Sequence, residues 1–311
     1  MIKNSSFLLF VFLLCSQLVS AQSTTDSVLM SRDYTSIEEA SKNPENVYRL
    51  KLENRDLQIP DSIWLKFTNL TYLSLKNDHL KEIPANIGYL KNLKVLDLSG
   101  NDFKVLPSTL VNLTNLEDLY LNDEKFINFE ENIPILSKLP NLISLHVEND
   151  GLESLPNNMD RLSHLEFLYL NNNHLKDLPT EVGYLNNLKV LDLSGNDFTL
   201  LPSTFVYLTN LEELFLNDDK FLNFDQTIPI LSTLPKLKSL HIENDGLNAL
   251  PKDIGRLSHL ESLYLNDNKF KTLPPELKDL KELEYIDLHG NEFTLPDSEM
   301  QHQSVRFRIR F

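Results

Sequence analysis

The sequence predicts an α/β solenoid in which short strands stack side by side into one parallel sheet. Three observations carry that prediction. The segment LKVLDLSGNDF occurs as Leu93–Phe103 and returns, letter for letter, 95 residues later as Leu188–Phe198. Each copy lies inside a shorter pattern that recurs about every 23 residues. Within each unit, apolar residues first alternate with polar ones and then fall at wider spacing, as Leu145 and Val147 are followed by Leu155, Met159 and Leu162. A unit of that length cannot bury its apolar side alone, so neighbouring units must stack to close a core.

Met1–Ala21 has the features of a cleaved signal peptide. Lys3 precedes the apolar stretch Phe7–Leu14, and Val19-Ser20-Ala21 fits the small-residue cleavage rule. That stretch is too short to span a bilayer, and no other segment qualifies. Bulky Phe12-Leu13-Leu14 ahead of Cys15 argues against a lipid anchor, so a cleaved, exported chain is expected. Residues 22–46 form an N-terminal segment with a helical cap. Ser36 and Glu39 have the spacing of a capping box, and Ile37 and Ala40 are placed to cover the first coil around Leu50 and Leu52.

The solenoid, about eleven coils, occupies residues 47–296. Units of 23 residues begin at Leu70, Leu93, Leu142, Leu165, Leu188, Leu237 and Leu260, a degenerate first one at Val47, and a last one at Leu283. The alternating part of each is a short strand with one buried face. Prolines such as Pro84, Pro107 and Pro179 then stop the strand and start the return path. Two longer units of 26 residues begin at Leu116 and Leu211, where Pro134 and Pro229 are expected in the first turn of longer convex helices. Residues 297–311 form a C-terminal cap strand. There Val305, Phe307, Ile309 and Phe311 face the last coil, and Arg306, Arg308 and Arg310 discourage further pairing.

Written out, the unit is L-x-x-L-x-L-x-x-N-x-L-x-x-L-P-x-x-I-x-x-L-x-x. It resembles the leucine-rich repeat family in its LPxxIxxLxxL variety, from about Val47 to Pro296. The resemblance implies a curved horseshoe, with strands on the concave face and short helical or irregular segments on the convex face. It also maps the family's asparagine ladder onto Asn101, Asn173, Asn196, Asn268 and Asn291. Asp78, Asp150, Asp219, Asp245, Arg55 and Glu124 depart from that column. Aspartate accepts hydrogen bonds without donating them, so a weaker ladder is expected at those coils. Secreted animal and plant members usually close their ends with disulfide caps, whereas cleavage here removes the single cysteine. A bacterial exported member is therefore expected.

With 45 Asp+Glu against 29 Lys+Arg, the chain carries a net charge of −16. Such a field repels phosphate backbones and anionic membranes, so nucleic-acid binding is not expected; the acidity is read first as keeping a long solenoid in solution, with a preference for basic partners as the alternative. In this fold, function belongs to strand side chains that point away from the core. One such column runs Lys51, Ser74, Asp97, Tyr120, His146, Tyr169, Asp192, Phe215, His241, Tyr264, Asp287. The four-coil period gathers Tyr120, His146 and Tyr169 in one patch and Phe215, His241 and Tyr264 in another, beside Glu148 and Glu243. Rings flanked by carboxylates and amides suit a protein or peptide. Carbohydrate stacking and a structural envelope role are the alternatives, the latter with the patches merely copied by duplication.

No cofactor or metal is implied, since His146 and Glu148 give two ligands where a zinc site needs three or four. The eight glycines fall mostly at turns rather than in a phosphate cradle. The mature chain offers no cysteine nucleophile, and no nucleophile and base are read as lying within reach of each other. The expected function is a non-enzymatic, exported binding scaffold.

Overall fold

The computed structural model describes residues 30–55, 60–293 and 307–311. The signal-peptide reading of Met1–Ala21, Cys15 included, and residues 297–306 of the C-terminal cap lie outside the described residues. Thirteen strands form a single parallel sheet in strict chain order. The eleven coil strands are β2 (Arg49–Lys51), β3 (Tyr72–Ser74), β4 (Val95–Asp97), β5 (Asp118–Tyr120), β6 (Ser144–His146), β7 (Phe167–Tyr169), β8 (Val190–Asp192), β9 (Glu213–Phe215), β10 (Ser239–His241), β11 (Ser262–Tyr264) and β12 (Tyr285–Asp287). A two-residue strand, β1 (Asp33–Tyr34), precedes them, and β13 (Arg308–Arg310) follows. The middle residue of each coil strand points inward and is fully buried, as Leu96, Leu145, Leu191 and Leu263 are. Burying one such side chain contributes about 1.5–3 kcal/mol, which is why strands of three residues hold.

In most coils the return path is a 3-10 turn that begins directly after the repeat's proline, as in Ala85–Tyr89 after Pro84 and Thr180–Tyr184 after Pro179. Proline fixes its own φ and disfavours helix at the preceding residue, so strand and turn are cleanly separated. The two 26-residue coils instead carry α-helices, Phe129–Leu136 and Phe224–Leu231. Their N-caps are Asn128 and Asn223, which accept from Glu131 N–H and Gln226 N–H. Pro134 and Pro229 therefore sit in the second half of each helix, not in its first turn. The extra three residues begin the helix earlier, and asparagine is a stronger start signal than the proline that followed it.

At the N-terminus, Ser36 caps the helix Ile37–Ala40 by accepting from Glu39 N–H at 3.4 Å. The Glu39 carboxylate turns outward to Arg32 at 2.6 Å, so only half of the reciprocal capping box forms. Ala40 is buried, Ile37 packs on the core, and β1 adds its backbone to the sheet edge in register with Arg49 and Leu50. At the other end β13 pairs with β12 in parallel. Ile309 and Phe311 pack on the last coil, with the Phe311 ring edge-on to Phe293 at 5.5 Å.

The ladder runs through every coil. Asn101 Nδ2 donates to the carbonyls of Leu75 and Leu98 while its Oδ1 accepts from Asp78 N–H and Leu80 N–H. Asn173, Asn196 and Asn268 repeat the arrangement. The acids keep its accepting half: Asn101 N–H donates to Glu124, Glu124 N–H to Asp150, Asn196 N–H to Asp219 and Asp219 N–H to Asp245. The donating half is missing. The second oxygens of Asp78, Glu124, Asp150, Asp219 and Asp245 are buried without a hydrogen-bond partner among the described residues. Desolvation pushes the Asp219 carboxyl up to about 9, those of Glu124, Asp150 and Asp245 to about 8, and that of Asp78 to about 6. Four of the five are thus neutral acids at pH 7, each with an O–H that can stand in for an asparagine N–H.

A second amide column lies at the end of the return path in six coils. Asn69, Asn92, Asn115, Asn141, Asn187 and Asn210 each donate Nδ2 to a backbone carbonyl of the preceding coil, at 2.7–2.8 Å in five cases and 2.9 Å for Asn187. Two polar ladders therefore stitch neighbouring coils, one on either side of the leucine core. Left-handed residues, such as Asn77 at φ 57° and Asn172 at φ 56°, turn the chain just before the first ladder. Asparagine tolerates that region better than other residues with a Cβ.

Candidate binding face

Side chains at the first and third residues of each strand emerge on the concave face. Strand pairing aligns Lys51, Ser74, Asp97, Tyr120, His146, Tyr169, Asp192, Phe215, His241, Tyr264, Asp287 and Arg310 in one continuous row. Because every coil strand shares one register, rings from successive coils are brought side by side, and here they turn face to face. Tyr120 stacks on His146 at 4.0 Å between centroids, and His146 on Tyr169 at 4.3 Å. Phe215 stacks on His241 at 4.0 Å, and His241 on Tyr264 at 4.1 Å. Interplanar angles of 6–22° make these true stacks. The rings are therefore half-buried against each other, and His241 is buried.

The two histidines are fixed by neighbours on the same strand, since residues two apart share a face. Ser144 Oγ lies 3.1 Å from His146 Nε2, and His146 Nδ1 lies 3.1 Å from Glu148 Oε1. In the second copy Ser239 Oγ and Glu213 Oε1 both lie 3.1 Å from His241 Nε2, while Glu243 Oε2 lies 3.7 Å from Nδ1. Glu148 and Glu243 are held in turn by backbone bonds to the Asn122 and Asn217 side chains.

The row contains three aspartates at 95-residue spacing, Asp97, Asp192 and Asp287. Each accepts a backbone bond from the residue two positions on, Ser99, Ser194 or His289. Only Asp287 of the three has an arginine partner among the described residues, Arg310 Nη1 at 3.1 Å, and His289 Nδ1 lies 2.7 Å from its other oxygen. Those partners keep its carboxyl below the usual value in spite of burial. No lysine or arginine among the described residues pairs with Asp192, whose carboxyl burial pushes up.

Sequence comparison agrees with this architecture. A family model described as leucine-rich repeat region matches residues 61–155 and 125–226, and a second, described as leucine rich repeat, matches residues 235–293. The first alone covers more than half of the chain. This is a leucine-rich repeat protein.

No curated protein matches the chain. Among solved structures, an internalin of Listeria monocytogenes is 22% identical over 91% of this leucine-rich repeat chain and 92% of its own, with a TM-score of 0.55. Toll in its complex with Spatzle, from Drosophila, is 19% identical over 83% of this chain and 38% of the other, with a TM-score of 0.66. A leucine-rich repeat protein of Leptospira interrogans is 24% identical over 90% of this chain and all of its own, with a TM-score of 0.44. At these identities the likeness is one of fold.

Tyr120, His146, Glu148 and Tyr169 come together in one patch of the repeat sheet, and Phe215, His241, Glu243 and Tyr264 in the other. The reading that no nucleophile and base lie within reach is corrected by Ser144–His146–Glu148. Ser144 escaped notice because it sits in the third column, two residues before the histidine. Asp118 faces Ser144 in register on the adjacent strand, a negative neighbour where a developing oxyanion would need hydrogen-bond donors. The relay orients an imidazole within a ring stack. Among the described residues, no group of three metal-ligating side chains is brought together, and no helix is long and apolar enough to cross a membrane.

Proposed function

We propose that the chain is an exported bacterial scaffold that binds an extended polypeptide across its concave face, without catalysing a reaction on it. The observation that carries this reading is the row of two ring stacks set among carboxylates and amides, repeated at the four-coil period. Residues stacked this way are already ordered, so a partner meets a preformed surface and little side-chain entropy is lost on binding. The rings cover one another except at the ends of each stack, so most of the row offers ring edges among carboxylates and amides, which favours a polypeptide over a sugar that stacks on ring faces. Toll, which shares the fold, forms a complex with Spatzle, a precedent for a macromolecular partner in this fold.

Replacing Tyr120, Tyr169, Phe215 and Tyr264 together with serine is expected to abolish recovery of peptides from a displayed library of random extended sequences. Unfolding should stay cooperative, at a melting temperature lowered only by the loss of the ring stacks, because none of the four lies in the leucine core. Peptides recovered equally well by both proteins would remove the proposal. Export rests on the Met1–Ala21 reading. Amino-terminal sequencing of chain recovered from the envelope or medium should begin at Gln22, and an intact Met1 there would contradict it.

A further inference from the structure

Between the two ring stacks the concave row has a gap one strand wide. Tyr169 ends the first stack, Phe215 begins the second, and Asp192 stands between them. No ring stacks on the outward face of Tyr169 or of Phe215 among the described residues. Ring centroids one strand apart in this row are 4.0–4.3 Å apart, so two strands separate these rings by about 8–9 Å and a flat group midway would lie about 4–4.5 Å from each. That is inside the range of about 6 Å over which a cation is attracted to an aromatic face. The floor of the slot is a carboxylate held within its own strand by Ser194, whose N–H donates to it at 2.9 Å and whose hydroxyl also bonds it, and it has no lysine or arginine partner among the described residues.

The chain itself shows what such a place holds. At the equivalent aspartate four coils on, Tyr264 stands on one side of Asp287 as Tyr169 stands beside Asp192. There the second flank is not a ring but Arg310, whose guanidinium lies 3.1 Å from Asp287 Oδ2. At the opposite end of the face Arg49 lies 4.1 Å over the Tyr72 ring and 2.8 Å from Asp33. Guanidinium, ring and carboxylate thus meet at the N-terminal end of the concave face, guanidinium and carboxylate pair at its C-terminal end, and the middle of the row has rings and carboxylate alone.

We infer that the slot formed by Tyr169, Asp192 and Phe215 takes an arginine side chain of the bound polypeptide, its guanidinium lying flat between the rings and paired with Asp192. This rests on the concave-face reading above and names the residue that reading leaves open. Arginine fits better than lysine: a planar cation can touch both walls and present two N–H groups to one carboxylate, whereas an ammonium is a single point of charge.

The test is a titration of the full chain with a capped nonapeptide carrying one central arginine among serine, threonine and glycine. Matched peptides carry lysine or citrulline, the neutral isostere, in its place. The arginine peptide is expected to bind at least about tenfold more tightly than the citrulline peptide and several-fold more tightly than the lysine peptide. Asp192→Asn should erase the difference between arginine and citrulline with melting temperature unchanged or raised, and Phe215→Ser should weaken arginine binding with no more than the small loss of stability that one ring stack contributes. Equal binding of arginine and citrulline, discrimination that survives Asp192→Asn, or no arginine-dependent signal at millimolar peptide would overturn the inference. Should the library described above yield peptides that need the aromatic rows but carry no arginine, the scaffold reading stands and this inference alone falls. A library that yields none removes both.

Discussion

Raising the pH from 5 to 9 is expected to destabilise the protein, and Asp219→Asn with Asp245→Asn should remove a large part of that loss. In the folded chain these carboxyls hold their protons up to about 9 and about 8, against 3.8 for an ordinary aspartate. Between about pH 4 and pH 8 the unfolded chain has released protons that the folded chain keeps. Stability must therefore fall with rising pH, by up to about 1.4 kcal/mol per pH unit for each such group. Below about pH 4 both states are protonated and this contribution is complete. Above about pH 9 it is gone, and two adjacent buried anions remain, joined by the bond from Asp219 N–H to Asp245. Asparagine restores the donor without a titratable proton. Urea unfolding at pH 5, 7 and 9 checks this. A wild-type midpoint that stays level or climbs, or a double variant that tracks the wild type, would show that these acids are not buried as described.

Phe198→Ala is expected to lower stability by about 3–5 kcal/mol, among the largest effects available from a single side chain. Phe198 is fully buried, and it fills the position that Leu80 and Leu175 take in other coils. Truncating it opens a void between two ladders that cannot move inward, since Asn196 is fixed by bonds to Leu170, Leu175 and Leu193. Phe198→Leu should cost less than about 1.5 kcal/mol, because the neighbouring coil already accepts leucine there. Denaturant melts of the two variants decide the point, and equal losses would refute it.

Much of this was legible from residue spacing. Period and alternation fix which face each strand residue takes, so the row from Lys51 to Asp287 follows from counting alone. What counting cannot supply is the effect of one side chain on another. Tyr120, His146 and Tyr169 are recognisable as neighbours, but their mutual stacking depends on ring orientation, which no spacing encodes. Asp219 and Asp245 stand out as departures from asparagine, yet their protonation follows from desolvation that only packing creates. The asparagines before each leucine, Asn69 and Asn92 among them, resemble ordinary turn residues until their amides are seen reaching the previous coil. Pro134 misled because proline is favourable in a first helical turn, and here the Asn128 cap set the start instead.

The gap at Asp192 has a history written in its two walls. Tyr169 belongs to the earlier of the tandem copies, whereas Asp192 and Phe215 belong to the later one, so neither copy owns the whole recess. Recombination between Leu93–Phe103 and Leu188–Phe198 would excise 95 residues and still leave a properly sealed horseshoe. In that shortened descendant the aspartate would sit next to Ser74, with one wall standing. Gene duplication here did more than lengthen the molecule: its seam is where a new shape arose.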